Sequence, residues 1–127
     1  MPPWGPLPRS ELEVLRIVWD QRAATVREVA EALPVDRHVD FWTVQTYLRR
    51  LAEKGYLKVT KRGRTNVYSP RVKRETVIRK LVDEFLQQMF DGEAVPLLQH
   101  LVAVRGLTQA EIDELQQTLN ELKERKS

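Results

Sequence analysis

The run from Phe41 to Tyr68, FWTVQTYLRRLAEKGYLKVTKRGRTNVY, constrains the fold of this chain more than any other. Val44, Leu48 and Leu51 recur at helical spacing with Tyr47 beside them, which predicts a helix over about 41–54. Trp42, Thr43, Thr46, Arg49, Arg50 and Glu53 face away from that stripe, and Gln45 is intermediate. Gly55 is the expected left-handed residue at the helix end. Leu57 and Val59 then alternate with Lys58 and Thr60, and Thr65 and Val67 with Asn66 and Tyr68. That is the period of half-buried strands, with Gly63 in the turn and Pro70 closing the second strand. A helix followed by a hairpin whose turn carries Lys61, Arg62 and Arg64 is the sequence form of a winged helix-turn-helix. Such a module lays one helix in the DNA major groove.

The flanking segments fit that frame. Residues 1–8 hold four prolines and predict an irregular arm containing Trp4. Ser10 and Glu13 have the spacing of a capping box, followed by Leu12, Leu15, Val18 and Trp19 on one helix face ending near Gln21. Thr25 and Glu28 repeat the box, and Val26, Val29, Ala30 and Leu33 make a short second helix stopped by Pro34. Val35 to Asp40 is a polar connection, longer than a tight helix-turn-helix turn.

The back of the chain reads as three further helices. Val77, Ile78, Leu81, Val82, Phe85, Leu86, Met89 and Phe90 form a double apolar stripe, broken by Asp91 and Gly92. Val95 to Val104, including Leu98 and Leu101, is a second apolar helix. Thr108 and Glu111 form a capping box for a third, carrying Ile112, Leu115, Leu119 and Leu122. Their steps are too short a repeat for an isolated coiled coil. So much apolar surface on so few residues points to a partner subunit. The candidate dimerisation residues are Ile78, Leu81, Val82, Phe85, Leu86, Met89, Phe90, Leu98, Leu101, Ile112, Leu115 and Leu119. The expected architecture is mainly α: the arm at 1–8, a winged-helix DNA-binding domain at 9–72, and a small helical dimerisation domain at 73–127.

Charge divides along the same line. Residues 1–80 hold 17 Lys and Arg against nine Asp and Glu, and residues 81–127 hold four against nine. A basic front attracts a polyanion and an acidic back is repelled by it. With no cysteine, disulfides and thiolate metal sites are excluded. His38, near Asp36 and Asp40, reads as part of a solvated loop, and His100 has no second ligand at metal spacing, so neither metal nor cofactor is expected. No phosphate-cradling glycine loop, HExxH or nucleophile elbow is present, so an enzyme is not expected. No apolar run approaches membrane-spanning length and MPPWGPLPR lacks the signal-peptide pattern, which places the protein in the cytoplasm.

The candidate DNA-binding residues are Trp42, Thr43, Gln45, Thr46, Arg49, Arg50, Lys54, Arg62 and Arg64. Trp42, Thr43 and Thr46 sit at the base-facing end, where threonine offers a hydroxyl to a base or a methyl to thymine, and Gln45 suits adenine. Arg49, Arg50 and Lys54 are the candidate phosphate clamps. Two bland readings compete. A polar helix face is often simply solvated, and cations on a hairpin protect its edges from aggregation. In functional terms, a sequence-specific transcriptional regulator competes with a winged-helix module that contacts an acidic protein without reading DNA.

SELEVLRIVW, TVREVAEAL, TVQTYLRRLAEKGYL, KRGRTNVYSP, and FLQQMFDG followed by LTQAEIDEL together resemble the BlaI/MecI/CopY family of bacterial repressors, from Leu7 to Lys123. The resemblance implies a homodimer that blocks transcription from a palindromic double-stranded operator. It assigns DNA contact to Thr43, Gln45, Thr46, Arg50, Arg62 and Arg64. CopY-type copper sensing needs a cysteine-rich tail, which is absent here. A protease that inactivates the repressor is a further implied partner. By alignment, His100-Leu101 stands where penicillinase-type members carry the cleaved Asn-Phe bond, and DRHVDFW differs from the family's stretch ahead of the recognition helix.

Arg64→Ala should weaken binding to all DNA sequences alike and flatten the salt dependence by about one phosphate equivalent. Binding titrations over a range of salt concentrations check this; an unchanged slope would leave the hairpin cations as edge protection only.

Overall fold

The computed structural model describes residues 5–37 and 39–126. Trp4, the rest of the arm's first four residues, and His38 lie outside them. The chain forms α1 (Arg9–Gln21), α2 (Val26–Ala32), a short 3-10 turn at Val35–Arg37, α3 (Phe41–Glu53), β1 (Leu57–Arg62), β2 (Thr65–Pro70), α4 (Arg74–Phe90), α5 (Ala94–Val104) and α6 (Gln109–Lys126). It separates into two compact units between Arg79 and Lys80, inside α4.

In the first unit, α1, α2 and α3 pack on one another and on the β1–β2 hairpin. Val14, Leu15 and Val18 of α1, Val29 of α2, Val44, Leu48 and Leu51 of α3, and Tyr56 and Leu57 at the start of the hairpin are all enclosed and form the core of this unit. Each fully buried aliphatic side chain of this kind contributes about 1.5–3 kcal/mol. The predicted face of α1 is displaced. Glu11, Val14, Leu15 and Val18 are enclosed, while Leu12 and Trp19 are only half-buried.

Helix starts depend on which residue leaves the helical conformation. Thr25 forms the expected box, with Glu28 N–H donating to its hydroxyl at 3.2 Å and Thr25 N–H to the Glu28 carboxylate at 2.8 Å. The Ser10–Glu13 box does not form. α1 begins at Arg9 behind an extended Pro8, whose carbonyl accepts from Leu12 N–H at 2.9 Å, so Ser10 is already inside the helix. α1 ends at Arg22 in a positive-φ conformation (φ 69°), with its N–H bonded to the Val18 carbonyl.

The hairpin pairs Leu57 with Pro70 through Arg62 with Thr65, leaving Gly63 and Arg64 as a two-residue turn. Gly63 has φ +67° and no atom crowds its missing Cβ, so glycine is required by backbone conformation alone. The expected alternation fails on both strands. Only Leu57 of β1 is buried, and Val59 is 42% exposed. Val67 and Tyr68 are both buried although adjacent in β2. The cause is uneven cover. β2 touches α1 and α2, whereas the helix against β1 is α3. Ala24 also adds a strand-like bridge to Tyr68, with backbone bonds of 2.9 and 2.8 Å.

In the second unit, the α4–α5 connection turns at Asp91 (φ 50°) and Gly92 (φ 82°). Phe90 contacts both Phe85 and His100, with ring centroids 5.9 and 5.5 Å apart. The Thr108–Glu111 box forms as expected. Arg105 also donates to the Glu111 carboxylate, and this bond, with help from Thr108 N–H, holds the Glu111 carboxyl down to about 2. No residue from Lys80 to Lys126 is buried. No helix among the described residues is long and apolar enough to cross a membrane.

Val77, on the first-unit side of the division inside α4, is 1% exposed and is the buried residue of that helix. Val77→Ala should therefore lower the unfolding free energy of the complete chain by about 1–3 kcal/mol. Urea denaturation checks it, and an unchanged midpoint would show that α4 begins outside the first core.

Candidate nucleic-acid interface

The candidate site is built on α3, whose start is set by Asp40. The Asp40 carboxylate accepts from Thr43 N–H at 2.8 Å, and hydrogen bonding from Thr43 lowers its pKa. An aspartate just before an apolar-periodic run is a helix-start signal, and Asp40 acts as one here rather than as part of the polar connection. Burial of Val44, Leu48 and Leu51 on the inner side then leaves the outer face free. Along that face Trp42, Arg49 and Arg50 are exposed, and Thr43, Gln45 and Thr46 are half-buried.

Two of these side chains are already engaged. The Thr46 hydroxyl donates to the Trp42 carbonyl at 3.0 Å, which uses its only proton. It keeps lone pairs and a methyl group for any ligand. Arg49 is close enough to Tyr68 for its charge to act there: burial pushes the Tyr68 hydroxyl pKa up, while Arg49 and a hydrogen bond with Asn66 pull it down.

Lys54 requires a correction. Expected as a phosphate clamp, it instead reaches back into the fold. Its ammonium donates to the Glu11 carboxylate at 2.6 Å and to the Pro6 carbonyl at 2.8 Å. Glu11 is 3% exposed, a buried acid that needs a cation beside it. Arg50 lies 4.0 Å from the same carboxylate while most of its side chain stays in solvent. Tyr56 completes the arrangement by donating to the Gly5 carbonyl at 2.8 Å. Gly5 and Pro6 are thus tied to the C-terminal end of α3. The sequence carried no signal for this, because the partners are 43 to 51 residues apart.

The hairpin tip holds Lys61, Arg62 and Arg64, all exposed, and none has an ion-pair partner among the described residues. The first unit therefore combines a helix with a polar, cationic outer face and a turn carrying uncompensated charge. Nothing in that pair of features suits covalent chemistry; both suit a polyanion.

The candidate dimerisation residues have mixed positions. Ile78 is half-buried and belongs to the first unit. Leu81, Leu86 and Phe90 are half-buried in the second. Val82, Phe85, Met89, Leu98, Leu101, Ile112, Leu115 and Leu119 are exposed.

The model of the penicillinase repressor family matches residues 7–121. The penicillinase repressor of Bacillus licheniformis is 32% identical over 117 residues, 92% of this chain and 91% of that protein. The methicillin resistance regulatory protein MecI of Mammaliicoccus sciuri is 27% identical over 111 residues, 87% of this chain and 90% of that protein. Among solved structures, BpsR of Bordetella bronchiseptica aligns with a TM-score of 0.51 at 21% identity, covering 92% of this chain and 80% of that one. That likeness speaks for the fold alone.

Glu11→Gln should lower the unfolding free energy by about 1–3 kcal/mol, because the Lys54 ammonium loses its counter-charge in a partly enclosed place. The Lys54 side chain is 23% exposed and can turn toward water, which keeps the loss below that of a fully enclosed pair. Glu11→Leu combined with Lys54→Met should recover most of it. Urea denaturation of both variants checks this; an undiminished loss in the double variant would mean that Glu11 does not act through Lys54.

Proposed function

The chain belongs to the penicillinase repressor family, and on that premise we propose that it represses transcription as a homodimer bound to a palindromic DNA operator. It is a DNA-binding repressor with a winged helix-turn-helix, not an enzyme. The observation that carries the DNA reading is the outer face of α3, anchored by Asp40 and followed by an unpaired cationic hairpin tip. In this reading α3 enters the major groove. Trp42, Thr43, Gln45 and Thr46 meet base edges, Arg49 and Arg50 hold phosphates, and Arg62 and Arg64 reach the backbone beside the groove. Lys54 is left out, since its charge is spent on Glu11. The protein acts where the DNA is, in the cytoplasm.

The homodimer reading rests on the second unit. Phe85, Met89, Leu98, Val102, Ile112 and Leu115 are exposed apolar side chains spread over α4, α5 and α6. Two-fold pairing buries the same patch from both copies and removes this surface from water. It also sets two copies of α3 on half-sites about 10–10.5 base pairs apart, or a multiple of that. Inactivation by a protease at His100-Leu101 would require α5 to open, because that bond lies inside Ala94–Val104.

Duplexes selected from a random pool by the full-length protein test the reading together with sedimentation. The expected result is a dimer that enriches a palindrome and binds it with a salt slope of about −0.9 per phosphate neutralised. Phe85→Asp should yield a monomer that binds the whole palindrome more weakly while keeping its half-site preference. No enriched sequence would favour a protein-contact module instead, and a wild-type monomer would remove the homodimer.

A further inference from the structure

The start of α3 carries more apolar surface than a solvated helix face needs. Trp42 is 72% exposed, and Phe41 beside it is exposed too. The two rings meet edge-to-face, with centroids 5.8 Å apart and planes at 90°. That contact steadies the indole without covering it. An indole left in water forgoes one of the largest burial gains available to any side chain.

Thr46 lies one turn further along and shares a helix edge with Trp42. Its hydroxyl proton is committed to the Trp42 carbonyl, so it cannot donate to a base. What this corner of the helix offers is mostly carbon: an indole, a phenyl ring and a threonine methyl. Arg49 and Arg50 follow on the same helix and supply charge outside that corner.

On the major-groove edge of a base pair the apolar group is the C5-methyl of thymine; the rest are hydrogen-bond donors and acceptors. Base faces are unavailable to an aromatic ring because they are stacked within the duplex. We propose that Trp42, steadied by Phe41 and continued by the Thr46 methyl, reads the thymine C5-methyl group, so that the operator carries thymine at the base steps covered by the start of α3. This rests on the reading that α3 enters the major groove. It adds what base chemistry the helix start selects, and it assigns Trp42 to methyl contact rather than to phosphate or hydrogen bonding.

Exchange of thymine for uracil removes that methyl and leaves base pairing intact. The probe is the duplex that the full-length protein selects from a random pool, with each thymine replaced in turn. For the wild type, at least one replacement in each half-site should weaken binding about fourfold, the effect of withdrawing one methyl from apolar contact. In Trp42→Ala, whose truncation leaves the core untouched, the same replacement should cost nothing further. Arg49→Ala should weaken binding to every duplex and keep the fourfold uracil penalty. The proposal fails if uracil costs the wild type nothing while sequence preference remains, and the groove reading then stands. It fails equally if the penalty is the same in Trp42→Ala, or if the selected half-sites contain no thymine. If no sequence is selected at all, the DNA reading falls and this proposal falls with it.

Discussion

Burial of Val44, Leu48 and Leu51 is the constraint on which the rest of the first unit depends. These three side chains lie along one side of α3, and all are fully enclosed. A helix that hides this stripe against α1 and α2 has no freedom left to rotate about its axis. Trp42, Arg49 and Arg50 are therefore outside because the inner stripe is inside. Asp40 sets where the helix starts, and Gly55, at φ 92°, lets the chain turn straight into β1.

The Glu11–Lys54 pair adds a constraint of another kind. Apolar contact holds α3 in place but tolerates small shifts along the helix axis. A buried carboxylate with an ammonium at 2.6 Å does not tolerate them, because separation would leave a charge enclosed without its partner. Lys54 and Tyr56 also hold the carbonyls of Pro6 and Gly5, so three stretches of chain converge at the end of α3. Arg50 stands between the two worlds, within reach of Glu11 but largely in solvent.

The second unit obeys a different rule. Its helices have sound local chemistry, with a capping box at Thr108 and a turn at Asp91 and Gly92, yet no side chain from Lys80 to Lys126 is buried. Local signals therefore define helices without supplying a core. The first unit shows that the same chain can enclose valines and leucines completely when enough elements surround them. This contrast between enclosed and open apolar residues is the physical basis of the proposal that a second copy covers the back half.

Much of this was legible in the residues, for reasons that differ from element to element. The helix from Phe41, the Gly63 turn and the two threonine boxes depend on neighbours within four residues, so spacing alone determined them. The Ser10 box had the same spacing and failed, since Pro8 lets α1 start earlier. Alternation pointed to an inward Val59, but no strand pattern tells which part of a hairpin has a helix beneath it. The bridge from Ala24 to Tyr68, the enclosure of Val77 and the recruitment of Lys54 by Glu11 were decided only by tertiary structure. Each joins or encloses groups that local periodicity does not relate. Periodicity records which side of an element is apolar; it does not record which distant side chain arrives to cover that side or to neutralise a charge.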